Sequence, residues 1–161
     1  MAFRSRTHLR VYRIADRRHP IFDGYGALVH GGRWTSPGKR IIHASLTMAC
    51  AMLEALAHTG IGRFPKNQAW IEIMISAGLR IEEVMGEDVP GWDSPDFRAS
   101  RRFGDPWAET KRSAILIVPS VVSRTDRNVL INQDHPDFGK IGHTRPKPLV
   151  WDKRIERLVK A

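Results

Sequence analysis

Glu54 is a single carboxylate within an otherwise apolar stretch, ASLTMACAMLEALA, at residues 44–57. A carboxylate buried without a partner costs several kcal/mol or takes up a proton, so a cation or a hydrogen-bond donor must face it. Two interpretations are open. Glu54 either forms an internal ion pair with Arg13 or Arg33 that joins a helix to a sheet, or it is an acid that receives a ligand. The spacing of the apolar residues does not choose between them.

Arg33 follows two glycines in the segment HGGRW. Glycine accepts tight or left-handed backbone, so Gly31 and Gly32 allow the arginine to be aimed into a cleft. Its planar guanidinium suits phosphate and carboxylate groups. The alternative is a turn followed by a surface arginine. The segment GYGALVHGG lacks the glycine spacing and the strand–turn–helix setting of a dinucleotide-binding fingerprint.

Several other kinds of site are excluded by residue type and spacing. A single cysteine, Cys50, excludes an internal disulfide and a zinc cluster built on cysteines. The seven histidines contain no HExxH pair or other metal spacing, so we expect no metal. Ser120 lies in VPSVV, outside a G-x-S-x-G context, which gives little support to an activated serine nucleophile.

The composition predicts a globular protein with an anionic partner. The chain of 161 residues suits one domain, and its net charge of +9 favours nucleic acid, a phosphate-rich small molecule or an acidic protein. No apolar run reaches the length of a membrane span, and the basic start has no apolar core of a secretory signal. We therefore expect a cytoplasmic location without a membrane partner.

The elements that must position these residues have the pattern of an α+β fold, with several strands interrupted by two helices. A long irregular segment covers residues 15–32, and a surface excursion covers 86–104. A short helix at 105–111 opens with an N-cap aspartate and a proline. The predicted strands are 9–14, 40–44, 69–76, 113–122, 128–132 and 148–159, and residues 79–85 either extend the sheet or leave it.

The main helix is predicted from Leu46 to His58, with Ser45 as its N-cap and Gly60 as its end. Because it is apolar nearly all the way round, we expect it to be buried. One stripe, the expected packing face, carries Leu46, Ala49, Leu53 and Leu56. A second face carries Thr47, Ala51, Glu54 and His58, whose small residues let another element or a ligand approach the carboxylate.

Taken together, the motifs resemble the RES-domain toxins of bacterial toxin–antitoxin pairs of the RES–Xre type, named for an arginine, a glutamate and a serine. The matching segments are VYRI, GGRW, RIIHAS, LEAL, ILIVPSVV and NVLINQDHP, in the family's order over residues 9–138 of a single domain at 1–161. The resemblance implies a small split β-sheet with flanking helices, similar to diphtheria-toxin-type ADP-ribosyltransferases, that binds NAD.

By this resemblance Glu54, Arg33 and Ser120 are the catalytic residues, and Arg13, Arg33, His43 and Ser120 contact NAD. Glu54 would stabilise the cation-like ribose that develops as nicotinamide leaves. The arginines would hold the pyrophosphate or ribose oxygens, and Ser120 would hydrogen-bond the sugar. His43 stands where the family usually has tyrosine, so this side of the pocket carries an imidazole that titrates near neutral pH.

The resemblance implies a toxin that cleaves the nicotinamide–ribose bond and passes ADP-ribose to a target protein, or to water or phosphate as an NAD glycohydrolase. It also implies a helix-turn-helix antitoxin as partner, with a homodimer or a hetero-oligomer as the assembly. The alternative is a basic nucleic-acid-binding module without catalysis. That alternative rests on charge alone, since no known nucleic-acid-binding motif is present. The arginines available for it are Arg17, Arg18, Arg98, Arg101, Arg102 and Arg112.

Overall fold

The computed structural model describes residues 1–60 and 62–160, where nine strands form one mixed sheet. The strands are β1 (Ala2–Arg4), β2 (Leu9–Asp16), β3 (Ile41–Ser45), β4 (Gln68–Ile75), β5 (Arg80–Glu83), β6 (Ile115–Pro119), β7 (Arg127–Asn132), β8 (Ile141–His143) and β9 (Lys147–Pro148). Their order is β1-β5-β6-β7-β3-β2-β4-β8, with β9 also on β4. Only β5 and β6 pair in parallel within this described sheet.

Four α-helices complete the described part of the chain: α1 (Tyr25–His30), α2 (Met48–Thr59), α3 (Arg98–Thr110) and α4 (Lys153–Lys160). The α+β prediction is confirmed. None of these helices is long and apolar enough to cross a membrane.

Alternation along the central strands gives the sheet an apolar layer on each face. In β6, Ile115 and Ile117 join one core cluster, whereas Leu116 and Val118 join the other. The second cluster also contains Trp34 from the segment after α1 and the fully buried Trp107 of α3. These contacts pack α3 and the Arg33 segment on the same face of the sheet.

Among the described strand pairs of the sheet, β2 and β3 have the fewest paired residues. One residue pair, Tyr12 with Ser45, joins these strands in the described register, whereas β2 pairs with β4 along its whole length. This joint is what makes the sheet split. Arg13 lies beside it and donates from Nη1 to the carbonyl of His43 on β3 at 2.7 Å.

The closing segment differs from its prediction, because most of residues 148–159 form helix α4 rather than a strand. Asp152 begins the helix, since its carboxylate accepts the backbone N–H of Arg154 at 2.8 Å. The partly buried Ile155 and Val159 are four residues apart, the spacing of one helical face.

Helix α3 begins at Arg98, seven residues before the predicted N-cap, so the last seven residues of the excursion 86–104 lie in this helix. Pro106 therefore lies inside the helix. Asp105 does not cap the helix, because its carboxylate accepts the backbone N–H of Ser36 at 2.7 Å and the Ser36 hydroxyl at 2.6 Å. The Asp105 carboxylate, which the sequence predicts as the cap of a local helix, thus binds a distant segment of the chain instead.

Three further predictions before β4 are corrected. The irregular segment 15–32 contains the short helix α1. Helix α2 begins at Met48 with Thr47 as N-cap, because Ser45 ends strand β3. Its predicted packing stripe is only partly buried, since Leu53 is 45% exposed whereas Leu46 packs against the core, and Cys50 and Ala51 are the buried residues of the helix. On the predicted small-residue face, Ala51 is buried and Glu54 half-buried, while Thr47 and His58 at its two ends are exposed.

Candidate active site

Glu54 lies half-buried on α2 and receives two hydrogen bonds from neutral side chains. Ser120 Oγ donates to Glu54 Oε1 at 2.9 Å, and Asn128 Nδ2 donates to the same oxygen at 2.5 Å. Within the described residues Glu54 forms no salt bridge with Arg13 or Arg33, whose donors go to backbone carbonyls. The ion-pair interpretation is therefore wrong for this structure.

Ser120 directly follows β6 and is fully buried, with 0% of its surface exposed. Its hydroxyl also accepts the backbone N–H of Ser123 at 3.1 Å, so donation to Glu54 and acceptance from the turn fix its orientation. The structure brings Ser120 and Glu54 together, as the family resemblance implies.

Two contacts tie the start of α2 to the same part of the sheet. The Thr47 hydroxyl caps the helix by accepting the Cys50 N–H at 3.1 Å, and it donates to the Asp126 carboxylate before β7. Ser45 Oγ donates to Asn128 Oδ1 at 2.8 Å. The helix that carries Glu54 is thus held against the β6–β7 segment that carries its donors.

Arg33 is part-buried under the segment that precedes α3. Its Nη1 donates to the carbonyl oxygens of Trp92 at 3.2 Å and Ser94 at 2.9 Å, and its guanidinium carbon lies 4.5 Å from the centre of the Phe97 ring. Burial lowers the pKa of Arg33, while the negative charges of Asp93 and Glu54 oppose that shift. Arg33 and Glu54 therefore lie within electrostatic reach of each other.

The glycines before Arg33 have separate tasks. Gly31 adopts φ +67°, and a Cβ there would lie 2.8 Å from Pro37, so this position requires glycine. Gly32 donates to the Thr35 carbonyl at 2.8 Å, and a Cβ on it would lie 2.8 Å from His43 Nε2. The predicted need for unusual backbone before Arg33 is confirmed at Gly31.

Helix α3 holds the Arg33 segment from the other side. Ser100 Oγ donates to the Arg33 carbonyl at 2.7 Å, and Arg101 Nε donates to the Gly32 carbonyl at 3.0 Å. Gly104 allows the close approach, because a Cβ there would lie only 1.9 Å from the Trp34 carbonyl oxygen. The position of Arg33 thus depends on α3, whose side chains donate hydrogen bonds to backbone carbonyls of the Arg33 segment.

His43 packs its ring against Gly32 and is partly buried. Burial lowers its pKa to about 4, with further contributions from the positive charges of Arg13 and His58. The expectation that His43 titrates near neutral pH is therefore wrong. It contributes a neutral imidazole to this side of the site.

Arg13 lies on β2 and is committed to the backbone around the strand joint. Besides its bond to His43, it donates from Nε to the Ile21 carbonyl at 2.6 Å and from Nη2 to the Asp23 carbonyl at 3.5 Å. Burial lowers its pKa to about 10, opposed by the charge of Asp23. Arg13 therefore fixes the loop before α1 against β3, directly behind His43.

The arginines available to the nucleic-acid alternative are largely engaged within the protein. Arg18 pairs with Asp16 at 2.6 Å, Arg98 with Asp96 at 3.7 Å, Arg112 with Glu82 at 3.1 Å, and Arg101 holds Gly32. These contacts engage four of the six arginines, so beyond the net charge no observation on the described residues favours that alternative.

The site around Glu54 does not coincide with a surface cavity of about 360 Å³. That cavity lies at the other end of β3 and β7, where Ile41 pairs with Asn132. Its lining residues are Gly38, Lys39, Ala108, Glu109, Lys111, Asn132 and Asp134. We assign the site from the convergence of polar groups on a carboxylate, since the lining of this cavity does not include Glu54 or Arg33.

Asn128 is the site residue that sequence reasoning missed. Asparagine is uncommon inside strands, and an Asn at the start of NVLIN, two residues before the buried Leu130, was the available signal. The backbone oxygens of Trp92 and Ser94 carried no such signal, because every residue has a carbonyl.

Comparisons with known proteins give one consistent result. Residues 10–152 match the RES domain. The chain is 36% identical over 159 residues to a "Prs ADP-ribosylating toxin" from Sphingobium sp. (strain YBL2), covering 96% of both chains. It is 31% identical over 157 residues to "Toxin Res" from Yersinia enterocolitica, covering 92% of this chain and 100% of the relative.

The fold is also similar to a solved structure. The match is to a chain of the M. tuberculosis MbcT–MbcA toxin–antitoxin complex, with a TM-score of 0.75 and 14% identity over 98% of this chain and 91% of that chain. At this identity the likeness shows the fold alone.

Proposed function

Because this chain belongs to the RES-domain family, we propose that it is the toxin of a toxin–antitoxin pair and transfers ADP-ribose from NAD. The observation that carries the proposal is the geometry of Glu54. Two neutral donors hold its Oε1, and Arg33 lies within electrostatic reach. Within the described residues Oε2 accepts no hydrogen bond, which leaves it for a substrate.

The reaction breaks the bond between the nicotinamide nitrogen and ribose C1′. The bonding electrons leave with nicotinamide, which departs neutral, and positive charge develops on the ribose. A fixed carboxylate stabilises that charge without having to reorganise, and it accepts a hydrogen bond from a ribose hydroxyl. The acceptor then adds to C1′ and loses its proton.

Each remaining residue has a role that its contacts support. Arg33 binds the diphosphate or ribose oxygens, since its Nη1 is tied to Trp92 and Ser94 while Nε and Nη2 have no bond within the described residues. His43 lines the nicotinamide side as a neutral ring. Arg13 supports His43 through its carbonyl, and direct contact of Arg13 with NAD stays a prediction. Ser120 positions Glu54, and its bond to the sugar stays a prediction as well.

We propose a protein side chain as the acceptor, because the relative at 36% identity is named for ADP-ribosylating Prs. Transfer to water or phosphate would instead deplete NAD. Incubating the protein with adenylate-labelled NAD, with and without purified Prs from the same organism, separates these outcomes. Label on Prs supports transfer to protein, whereas free ADP-ribose or its phosphate alone would identify a small acceptor.

We propose an antitoxin with an acidic face as partner, of the helix-turn-helix type, acting with the toxin in the cytoplasm. The net charge of +9 favours such a partner through electrostatic complementarity. The experiment is expression of the chain alone and together with the protein encoded beside its gene. Growth arrest that the neighbour relieves is the expected result, and unimpaired growth with Glu54 intact would contradict the toxin assignment.

A further inference from the structure

Asn128, at the second position of β7, donates its amide N–H to Glu54 Oε1 at 2.5 Å. A hydrogen bond from an amide to a charged acceptor is stronger than one between neutral groups. Ser120 approaches the same oxygen at 2.9 Å. Both donors therefore fix one carboxylate oxygen and turn the other away from the protein's own donors.

The orientation of the Asn128 amide is set by its other neighbours. Its Oδ1 accepts the Ser45 hydroxyl at 2.8 Å and lies 3.6 Å from the Cys50 thiol, a weak donor. Rotating the amide by half a turn would place Oδ1 against the Glu54 carboxylate, two acceptors with no proton between them. The arrangement thus permits one amide orientation.

The sheet register builds this chain of contacts. Ser45 and Asn128 are direct partners in the antiparallel β3–β7 pair, so their side chains lie on the same face at adjacent positions. Glu54 then reaches the pair from α2, whose cap is joined to Asp126 two residues before Asn128. Two strands and one helix therefore meet at a single carboxylate.

We propose that Asn128 is a positioning residue for the reaction, held by Ser45, that orients Glu54 so that Oε2 faces the ribose of the substrate. This proposal rests on the proposed NAD chemistry. Asn128 acts through Glu54 and does not itself touch the reacting atoms. Its loss leaves the Ser120 bond but removes one of the two restraints on the last torsion of the carboxylate, so kcat falls while the KM for NAD changes little.

The test is nicotinamide release from NAD by Asn128→Ala, Ser45→Ala and the wild-type protein, with kcat and KM determined separately. For Asn128→Ala we expect kcat to fall by about 10- to 100-fold, the range for losing a hydrogen bond to a charged group, with KM within about 3-fold. Ser45→Ala should show a smaller loss of the same kind. If the wild type releases nicotinamide and Asn128→Ala keeps its kcat within about 2-fold, the proposal is overturned while the proposed function stands.

The matched control is Asn132→Ala, at the other end of the same strand. Asn132 is also buried, and its amide donates to the Ala108 carbonyl at 3.0 Å, far from Glu54. Its loss should lower stability but leave kcat unchanged below the melting temperature. An equal fall of kcat in both variants would show a general structural effect and overturn the positioning role.

The pH dependence of kcat in Asn128→Asp is a readout that a purely structural role would not change. This variant also tests the proposal if the alanine variant does not fold. Two carboxylates this close share one proton, and the introduced carboxyl group, when protonated, can donate to Oε1 as the amide did. We expect the ratio of variant to wild-type kcat to be lowest near about pH 8 and to rise towards about pH 5.5. A ratio independent of pH would contradict the proposal, and a wild type that releases no nicotinamide would refute the proposed function itself.

Discussion

Replacing Gly104 with alanine tests how helix α3 holds the Arg33 segment. A Cβ at this position would lie 1.9 Å from the Trp34 carbonyl oxygen and 2.9 Å from its carbonyl carbon. Ordinary contact begins at 3.4 Å, so α3 and the segment must separate by about 1.5 Å. That shift would break the bonds that Ser100 and Arg101 make to this segment, now 2.7 and 3.0 Å long.

The expected change in the free energy of unfolding combines two destabilising effects with one stabilising effect. Overpacking against backbone costs about 1–3 kcal/mol. Each of the two lost hydrogen bonds costs about 0.5–1.5 kcal/mol. The better helix propensity of alanine returns about 1 kcal/mol. We expect the free energy of unfolding to fall by roughly 1–5 kcal/mol, and nicotinamide release to fall as well because Arg33 moves.

The assay is urea denaturation, read together with the rate of nicotinamide release below the melting temperature. Gly26→Ala is the matched control, since Gly26 also lies in a helix and a Cβ there meets nothing within 4 Å. It should be neutral or stabilise by up to about 1 kcal/mol. A Gly104→Ala variant as stable and active as the Gly26→Ala variant would refute the described packing of α3.

Three further variants test other parts of the site. The pKa of His43 in the folded protein is lowered to about 4, so the unfolded chain takes up a proton before the folded protein does as the pH falls from 6.5. Between about pH 7 and 5, the free energy of unfolding in urea denaturation should therefore fall by about 2 kcal/mol more for the wild type than for His43→Gln. Equal losses in the two proteins would contradict this. Arg33→Lys keeps the positive charge but removes the planar guanidinium group, so the KM for NAD should rise at least about tenfold in steady-state kinetics. An unchanged KM would exclude Arg33 from binding NAD. Arg13→Met leaves the carbonyls of Ile21 and His43 without their donor, so the free energy of unfolding, measured by thermal and urea unfolding, should fall by about 2–5 kcal/mol. A stable variant with a raised KM for NAD would instead favour direct contact of Arg13 with NAD.

The strands were the most predictable part of the fold because their apolar alternation is set by burial. Segment 69–76 carries this alternation clearly, segment 128–132 instead carries a continuous buried apolar run, and both form strands within one residue of the prediction. Residues 148–159 combine strand-forming types with a helical spacing, and the capping contact of Asp152 favours the helix that forms. At Asp105 the predicted N-cap is wrong although the helix forms, because the helix begins at Arg98 and the carboxylate binds Ser36.

The site was predictable in its residue types and less so in its contacts. A polar group on the small-residue face of α2 had to find partners, which placed Glu54 at the centre. The partners themselves depend on the β3–β7 register, which brings Asn128 beside Ser45 and which no spacing along the chain encodes. The electrostatic environment of His43 depends likewise on Arg13 across the strand joint.

The central claim is that the charge of Glu54 carries the reaction, and Glu54→Gln tests it most directly. Glutamine keeps the size and can still accept the bonds of Ser120 and Asn128 through its carbonyl oxygen, while the negative charge is lost. Glu87→Gln is the control, at an exposed glutamate of a surface turn. Nicotinamide release from NAD should fall at least about 100-fold in Glu54→Gln, with unchanged melting temperature, and stay at the wild-type rate in Glu87→Gln. Full turnover by a folded Glu54→Gln protein would contradict the account.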